Sequence, residues 1–195
     1  MELKPCSYVI SGSACVDTAL QFETEGLLFM QSHILKVRAD IQDPETGIDN
    51  RKKVAANMAS CVSDSYLLMV KTQGYHWNVV GPLFRSIHLL TEDHYNNLFQ
   101  AIDELAERIR ALGYPSPSSF TEMIALSAIE EDTENPTAEE MIDNLVRDHG
   151  ILARRFRECI SRAEMADDVV SADMLTRRIE FHEKAIWMLS AVKSE

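Results

Sequence analysis

An all-α fold, a bundle of four long helices, is what this sequence predicts, on three observations. Apolar residues recur every three or four positions over four separate stretches, as they do along one face of an amphipathic helix. Glycine and proline are scarce, seven and six in 195 residues, and most sit at the breaks between those stretches. No segment shows the apolar–polar alternation of a strand, and there is no internal repeat.

The first helix is expected over residues 50–78, where Val54, Met58, Cys61, Val62 and Met69 fall at helical spacing. Gly81-Pro82 ends the connection, with Pro82 expected at the first helical position, where its missing N–H costs nothing. The second helix, over 82–112, carries a core stripe of Ile87, His94, Leu98, Ile102, Leu105, Ile109 and Leu112, with Gly113 as its C-terminal stop. A short extra helix is expected in "FTEMIALSAI". Asn135 and Pro136 then cap and open the third long helix, whose stripe is Ile142, Leu145, His149, Leu152, Phe156 and Ile160. "ADD", residues 166–168, separates it from the fourth, with Leu175, Ile179, His182, Ile186 and Leu189. The long connection between the second and third helices lets the third cross over the bundle.

Residues 1–49 lack a sustained period and carry three basic residues (Lys4, Lys36, Arg38) against eight acids. This segment is expected to be a mobile N-terminal extension, with a short helix in "LLFMQSHILKV" and an alternative start at Met30; residues 50–195 form the bundle domain. Hydrophobic content of 46% with 26% charged residues suits a domain that buries a core. The net charge of −12 disfavours non-specific attraction to nucleic acid or anionic lipid and favours cations. Cys6, Cys15, Cys61 and Cys159 match no CxxC or disulfide framework, which points to a reducing compartment. With no run of about 18 apolar residues and a start too polar for a signal peptide, a cytoplasmic protein without a membrane span is expected.

The second helix carries one row of residues more than a monomer's core needs. Beside the apolar stripe run His88, Glu92, Tyr95, Phe99, Asp103 and Glu107, again three and four apart. Such a row is ordinarily a solvated face. Tyr95 and Phe99 at its centre argue instead for a partner surface. His88 with Glu92, and Asp103 with Glu107, are each one turn apart and can grip a cation, but the pairs lie 15 positions, roughly 22 Å, from each other at about 1.5 Å per residue. Taken across the pairs, 88 with 107 and 92 with 103 share one midpoint, between residues 97 and 98. If two copies of this helix cross antiparallel at that point, His88 of one faces Glu107 of the other and Glu92 faces Asp103, so a two-fold dimer creates two identical sites. The short turn at 79–81 carries His76 towards His88. The expected ligand set is therefore His76, His88 and Glu92, with Asp103 and Glu107 from the neighbour. Two imidazoles with three carboxylates suit iron better than a structural zinc centre.

"HWNVVGPLFRSIHLLTEDHYNNLFQAIDELAERIRALG", residues 76–113, closely resembles the signature region of the Dps family, the mini-ferritins named as DNA-binding proteins from starved cells. "SADMLTRRIEFHEKAIWML" resembles that family's last helix, and the likeness runs from about residue 50 to 192. The resemblance implies a ferritin-like four-helix bundle with a short helix in the connection, assembled as a hollow dodecamer built from two-fold dimers. It implies ferroxidase sites at the dimer interfaces, where Fe(II) is oxidised, by hydrogen peroxide in preference to dioxygen, and Fe(III) is stored as mineral. His76, His88, Asp103 and Glu107 match the family's ligands; at position 92, often aspartate there, this chain has Glu92. Trp77 matches an aromatic beside the family's site. Asp167, Asp168 and Asp173 fall where the family lines three-fold pores that admit iron, although at a helix start they also suit the helix dipole.

Four rival readings stand beside this one. Classical ferritins place Glu-x-x-His inside one bundle. Here Met30, Gln73, Arg85, Thr91, Val146 and Ile179 stand three residues before the six histidines, never an acid. His94, His149 and His182 lie on core stripes and are expected to be buried, hydrogen-bonded histidines rather than a cofactor nest; His33 lies in the extension. DNA binding, with iron oxidation secondary, calls for several cations, and the one basic cluster is Arg51, Lys52 and Lys53. The remaining reading is a purely structural shell with an inactive centre.

Overall fold

The structure, a computed structural model, describes residues 44–193. Most of the expected extension, with its short helix, Cys6, Cys15, Met30 and His33, lies outside the described residues. Five helices account for the regular structure among the described residues: α1 Arg51–Asn78, α2 Phe84–Ala111, α3 Phe120–Leu126, α4 Ala138–Glu164 and α5 Val169–Lys193. None is long and apolar enough to cross a membrane.

The four long helices pack as the stripes require. Ile87, Leu98, Leu105 and Ile109 of α2, with Leu112 at its C-cap, are buried with Met58, Cys61 and Val62 of α1, Leu145, Leu152 and Phe156 of α4 and Leu175 and Leu189 of α5 in one core. Short connections make α1/α2 and α4/α5 antiparallel neighbours. Cross-contacts fix the rest: Cys61 meets Cys159 and Lys71 meets Asp148, so α1 and α4 run antiparallel. Arg178 meets Asn97, and Asp168 meets Arg108, so α2 and α5 do too. Helices α2 and α4 are thus parallel, and the connection bearing α3 returns the length of the bundle. Asp64 anchors that connection, accepting from Ser127 Oγ at 2.8 Å and Ala128 N at 2.7 Å while paired to Arg155 at 2.9 Å.

Two helix starts differ from the sequence expectation. Pro82 is not the first helical residue; α2 begins at Phe84. Gly81 holds φ +93, and its carbonyl accepts from Phe84 N at 3.0 Å, so Gly81-Pro82-Leu83 form a turn ahead of the helix. Asn135 is not the cap of α4. Thr137 is, because only it has a glutamate three residues on: its side chain accepts from Glu140 N, and Glu140 accepts in return from Thr137 N at 2.8 Å. The end of α2 is as expected. Gly113, at φ +91, donates to Arg110 O and Tyr114 donates to Ile109 O, the double closure that glycine's left-handed backbone permits.

Candidate metal centre

Two elements meet at the edge of the bundle, the last turn of α1 and the first turns of α2. The tight turn folds α1 back so that the rings of His76 and His88 stack, centroids 3.8 Å apart and 15° from parallel. His76 Nδ1 lies 2.8 Å from the His88 carbonyl, and His88 Nδ1 lies 2.9 Å from the His76 carbonyl. A carbonyl oxygen only accepts, so each Nδ1 donates. In the neutral ring that leaves both Nε2 lone pairs bare, the state of a histidine ready to ligate a metal. Phe84 stacks on the outer side of His88 at 5.0 Å, and Tyr95 meets His76 edge-on at 5.3 Å. Both rings are held without any carboxylate.

Glu92 follows one turn after His88 and is half-buried, whereas Asp103 and Glu107 are exposed. The latter two lie about 22 Å further along α2, from 15 residues at roughly 1.5 Å each. Among the described residues of one subunit, no three histidine, cysteine, aspartate or glutamate side chains come together to hold a metal. The structure therefore brings together His76 and His88, has Glu92 one turn along α2 from His88 without joining the pair into a cluster, and leaves Asp103 and Glu107 apart and exposed. Between the halves lies Phe99, 67% exposed.

Trp77, 68% exposed, lines a groove of about 410 Å³ together with Tyr66 and Phe120. Below it the Tyr75 hydroxyl donates to Asp132 and accepts from Asn144 Nδ2 at 2.9 Å. Burial and the neighbouring Asp132 carboxylate push the Tyr75 phenol well above its usual range. Sequence reasoning missed this network, and also missed Phe84, although its position four residues before His88 on one helix face was a usable signal.

Of the three acids near the start of α5, only Asp167 and Asp173 face outward, Asp173 paired with Arg177. Asp168 is buried and caps α5, accepting from Arg108 Nη2 at 2.6 Å, Ser171 N at 3.0 Å and Ser171 Oγ at 2.5 Å. Its carboxylate is fully engaged within the subunit.

A family model for the ferritin-like domain matches residues 56–194. An uncharacterized low-temperature-induced protein from Nostoc sp. is 42% identical over 143 residues, covering 72% of this chain and 80% of that protein. A DNA protection during starvation protein from Brevibacillus brevis is 33% identical over 138 residues, 71% of this chain and 93% of that one. The crystal structure of a Dps protein from Vibrio cholerae O1, described as a member of a broad superfamily of ferritin-like diiron-carboxylate proteins, superposes with a TM-score of 0.70 at 30% identity, covering 72% of this chain and 89% of that one.

Proposed function

The chain belongs to the Dps family of ferritin-like proteins, and on that footing we propose that it is a cytoplasmic ferroxidase and iron store whose site is shared between two subunits. One observation carries the reading: the reciprocal Nδ1–carbonyl bonds of His76 and His88, which leave two bare Nε2 atoms side by side at the subunit's edge. A half-buried carboxylate, Glu92, follows His88 by one turn of α2. The carboxylates needed to complete a ferrous site, Asp103 and Glu107, lie on the same face of α2, exposed and distant, as two antiparallel copies of that helix require.

Fe(II) is the substrate. Imidazole and carboxylate donors bind it, and the anionic carboxylates stabilise the Fe(III) product more than the reactant, which eases electron loss. With hydrogen peroxide as oxidant, two ferrous ions each give up one electron, the O–O bond breaks, and two protons complete two waters. Consuming both reagents together limits hydroxyl-radical formation. The Fe(III) is stored inside a dodecameric shell built from the two-fold dimers, reached past the outward-facing Asp167 and Asp173; Trp77, the residue after His76, is the aromatic assigned to intercept stray oxidising equivalents. Stopped-flow oxidation of Fe(II) by peroxide, compared with dioxygen, tests the activity. A protein that assembles yet does not accelerate the reaction with either oxidant is a structural shell.

DNA protection appears in the names of several relatives, but the charge of −12 opposes it here, leaving exposed Lys52 and Lys53 beside Arg51 as the local cationic patch. A gel-shift assay at low salt decides this second reading.

A further inference from the structure

Among the described residues, seven buried side-chain nitrogen and oxygen atoms have no hydrogen-bond partner, and five of them form one cluster. These are His94 Nδ1, His149 Nε2, His182 Nε2, and Nε and Nη2 of Arg178. Of the other two, Asp64 Oδ2 is ion-paired to Arg155, and Ser116 Oγ lies elsewhere. A buried polar group without a partner is costly, and more so when charged. Five in one place therefore call for a common explanation.

The cluster draws on three helices. His149 and His182, both fully buried, share a hydrogen bond between their Nδ1 atoms at 2.8 Å. The ring of His94 lies 5.4 Å from that of His149. Phe181 stands among the three imidazoles at 5.2–5.9 Å, and the Arg178 guanidinium sits 4.5 Å over the same ring. Arg178 Nη1 donates to Asn97 at 2.7 Å, which fixes the fork while its other edge stays unpaired.

Chemistry selects the class of ligand. Nε–H and Nη2–H of one arginine form the edge that pairs side-on with two oxygens of a planar anion. A single proton lies in the His149–His182 bond, so one of their two Nε2 atoms carries an N–H and adds a buried donor. No carboxylate is hydrogen-bonded to the cluster; Asp93 and Glu104, which attract protons to His94 and Arg178 respectively, are on the exposed side of α2. A metal cation is disfavoured on two counts. No three ligating groups converge among the described residues, and the Arg178 charge, which already lowers the proton affinity of His149 and His182, repels any other cation. A cavity of about 230 Å³ borders the cluster at His94, Asn97 and Phe181, with exposed Asp93 and Lys184 also in its wall; Arg178, His149 and His182 do not line it, so an anion enters through this cavity past His94 and Phe181.

We propose that the Arg178–imidazole cluster binds a small planar oxyanion of the carboxylate, bicarbonate or nitrate kind, held on the Nε–Nη2 edge of Arg178 with the imidazoles as further donors. The site is separate from the His76–His88 pair and does not rest on the iron-oxidation reading.

Equilibrium dialysis of radiolabelled formate against the assembled full-length protein, at ionic strength fixed with chloride, tests it. The expected result is saturable uptake approaching one formate per chain, at least about tenfold weaker in Arg178→Lys, which keeps the charge but loses the fork. Formate and nitrate, unlike chloride, should raise the melting temperature of the wild type and not of that variant. Should Arg178→Lys fail to assemble, ring-15N spectra of histidine-labelled wild type decide: formate must shift the resonances of His94, His149 or His182. Absence of saturable uptake by the wild type in the millimolar range, uptake unchanged in Arg178→Lys, or unmoved imidazole resonances would overturn the proposal.

Discussion

His76 and His88 hold each other in place: each ring donates from Nδ1 to the other's backbone carbonyl, at 2.8 and 2.9 Å, and the two rings stack at 3.8 Å. Pairing a side chain to its partner's main chain makes orientation a property of the α1–α2 turn, independent of any metal. Losing either ring removes one ligand and loosens the other. His88→Ala should therefore slow Fe(II) oxidation at least about tenfold, the lower end for loss of a metal-orienting contact, while size-exclusion chromatography shows unchanged assembly. A wild-type rate in that variant would remove His88 from the site.

The buried imidazoles make the fold sensitive to acid. Burial lowers the His94 pKa to about 4, and it lowers His149 and His182 as well. An unfolded chain has histidine near 6.5. Between those values the unfolded state binds a proton that the folded state does not, so stability is full above about pH 6.5 and falls as pH drops towards 4. His94 alone contributes a loss of about 3 kcal/mol across that window, at about 1.36 kcal/mol per unit. Calorimetric melting temperatures should fall through this range in the wild type and less steeply in His94→Phe; parallel curves would show that His94 is not the titrating group.

The α1–α4 seam rests on buried charge. Lys71 Nζ and Asp148 Oδ2 are 2.5 Å apart, with both side chains almost completely enclosed, and Arg147 adds a partly exposed contact to Asp148 at 3.1 Å. Removing one partner strands the other, which costs about 3–5 kcal/mol when nothing else compensates. Lys71→Met should lower the denaturation midpoint strongly, and Lys71→Met combined with Asp148→Leu should recover most of the loss. A double variant no better than the single one would mean that packing, not charge, dominates there.

Cys61 and Cys159 bring their sulfurs to 3.1 Å across the same seam, both buried. Burial pushes the Cys61 thiol well up, with the Cys159 contact adding to it, so the reactive thiolate is suppressed. In native protein, peptide mapping after maleimide treatment should find both unlabelled, and both should label once the chain is denatured. Rapid native labelling of either would contradict this packing.

The bundle was legible because a core stripe is a periodic property of the chain, and the α2 stripe from Ile87 to Leu112 is buried throughout, with His94 included. Helix starts were less so, since Thr137 outcompetes Asn135 through a local exchange with Glu140 that periodicity does not register. At the site, spacing indicated that His76 and His88 approach each other. It could not indicate that they bond to each other's carbonyls, because that depends on where the Gly81 turn sets the backbone. Arg178 was invisible for a similar reason. One turn before His182, it reads as an ordinary charged face, and only the packing of α5 on α2 turns its fork inward.

A site shared between subunits is tested most directly by anomalous diffraction at the iron edge from crystals of the assembled protein soaked in Fe(II). The predicted result is iron within bonding distance of His76 and His88 Nε2 of one subunit and of Asp103 and Glu107 of its neighbour, about 2.0–2.2 Å by analogy with other first-row ions. Iron bound wholly within one chain, or Asp103 and Glu107 facing bulk solvent in the assembled protein, would contradict it.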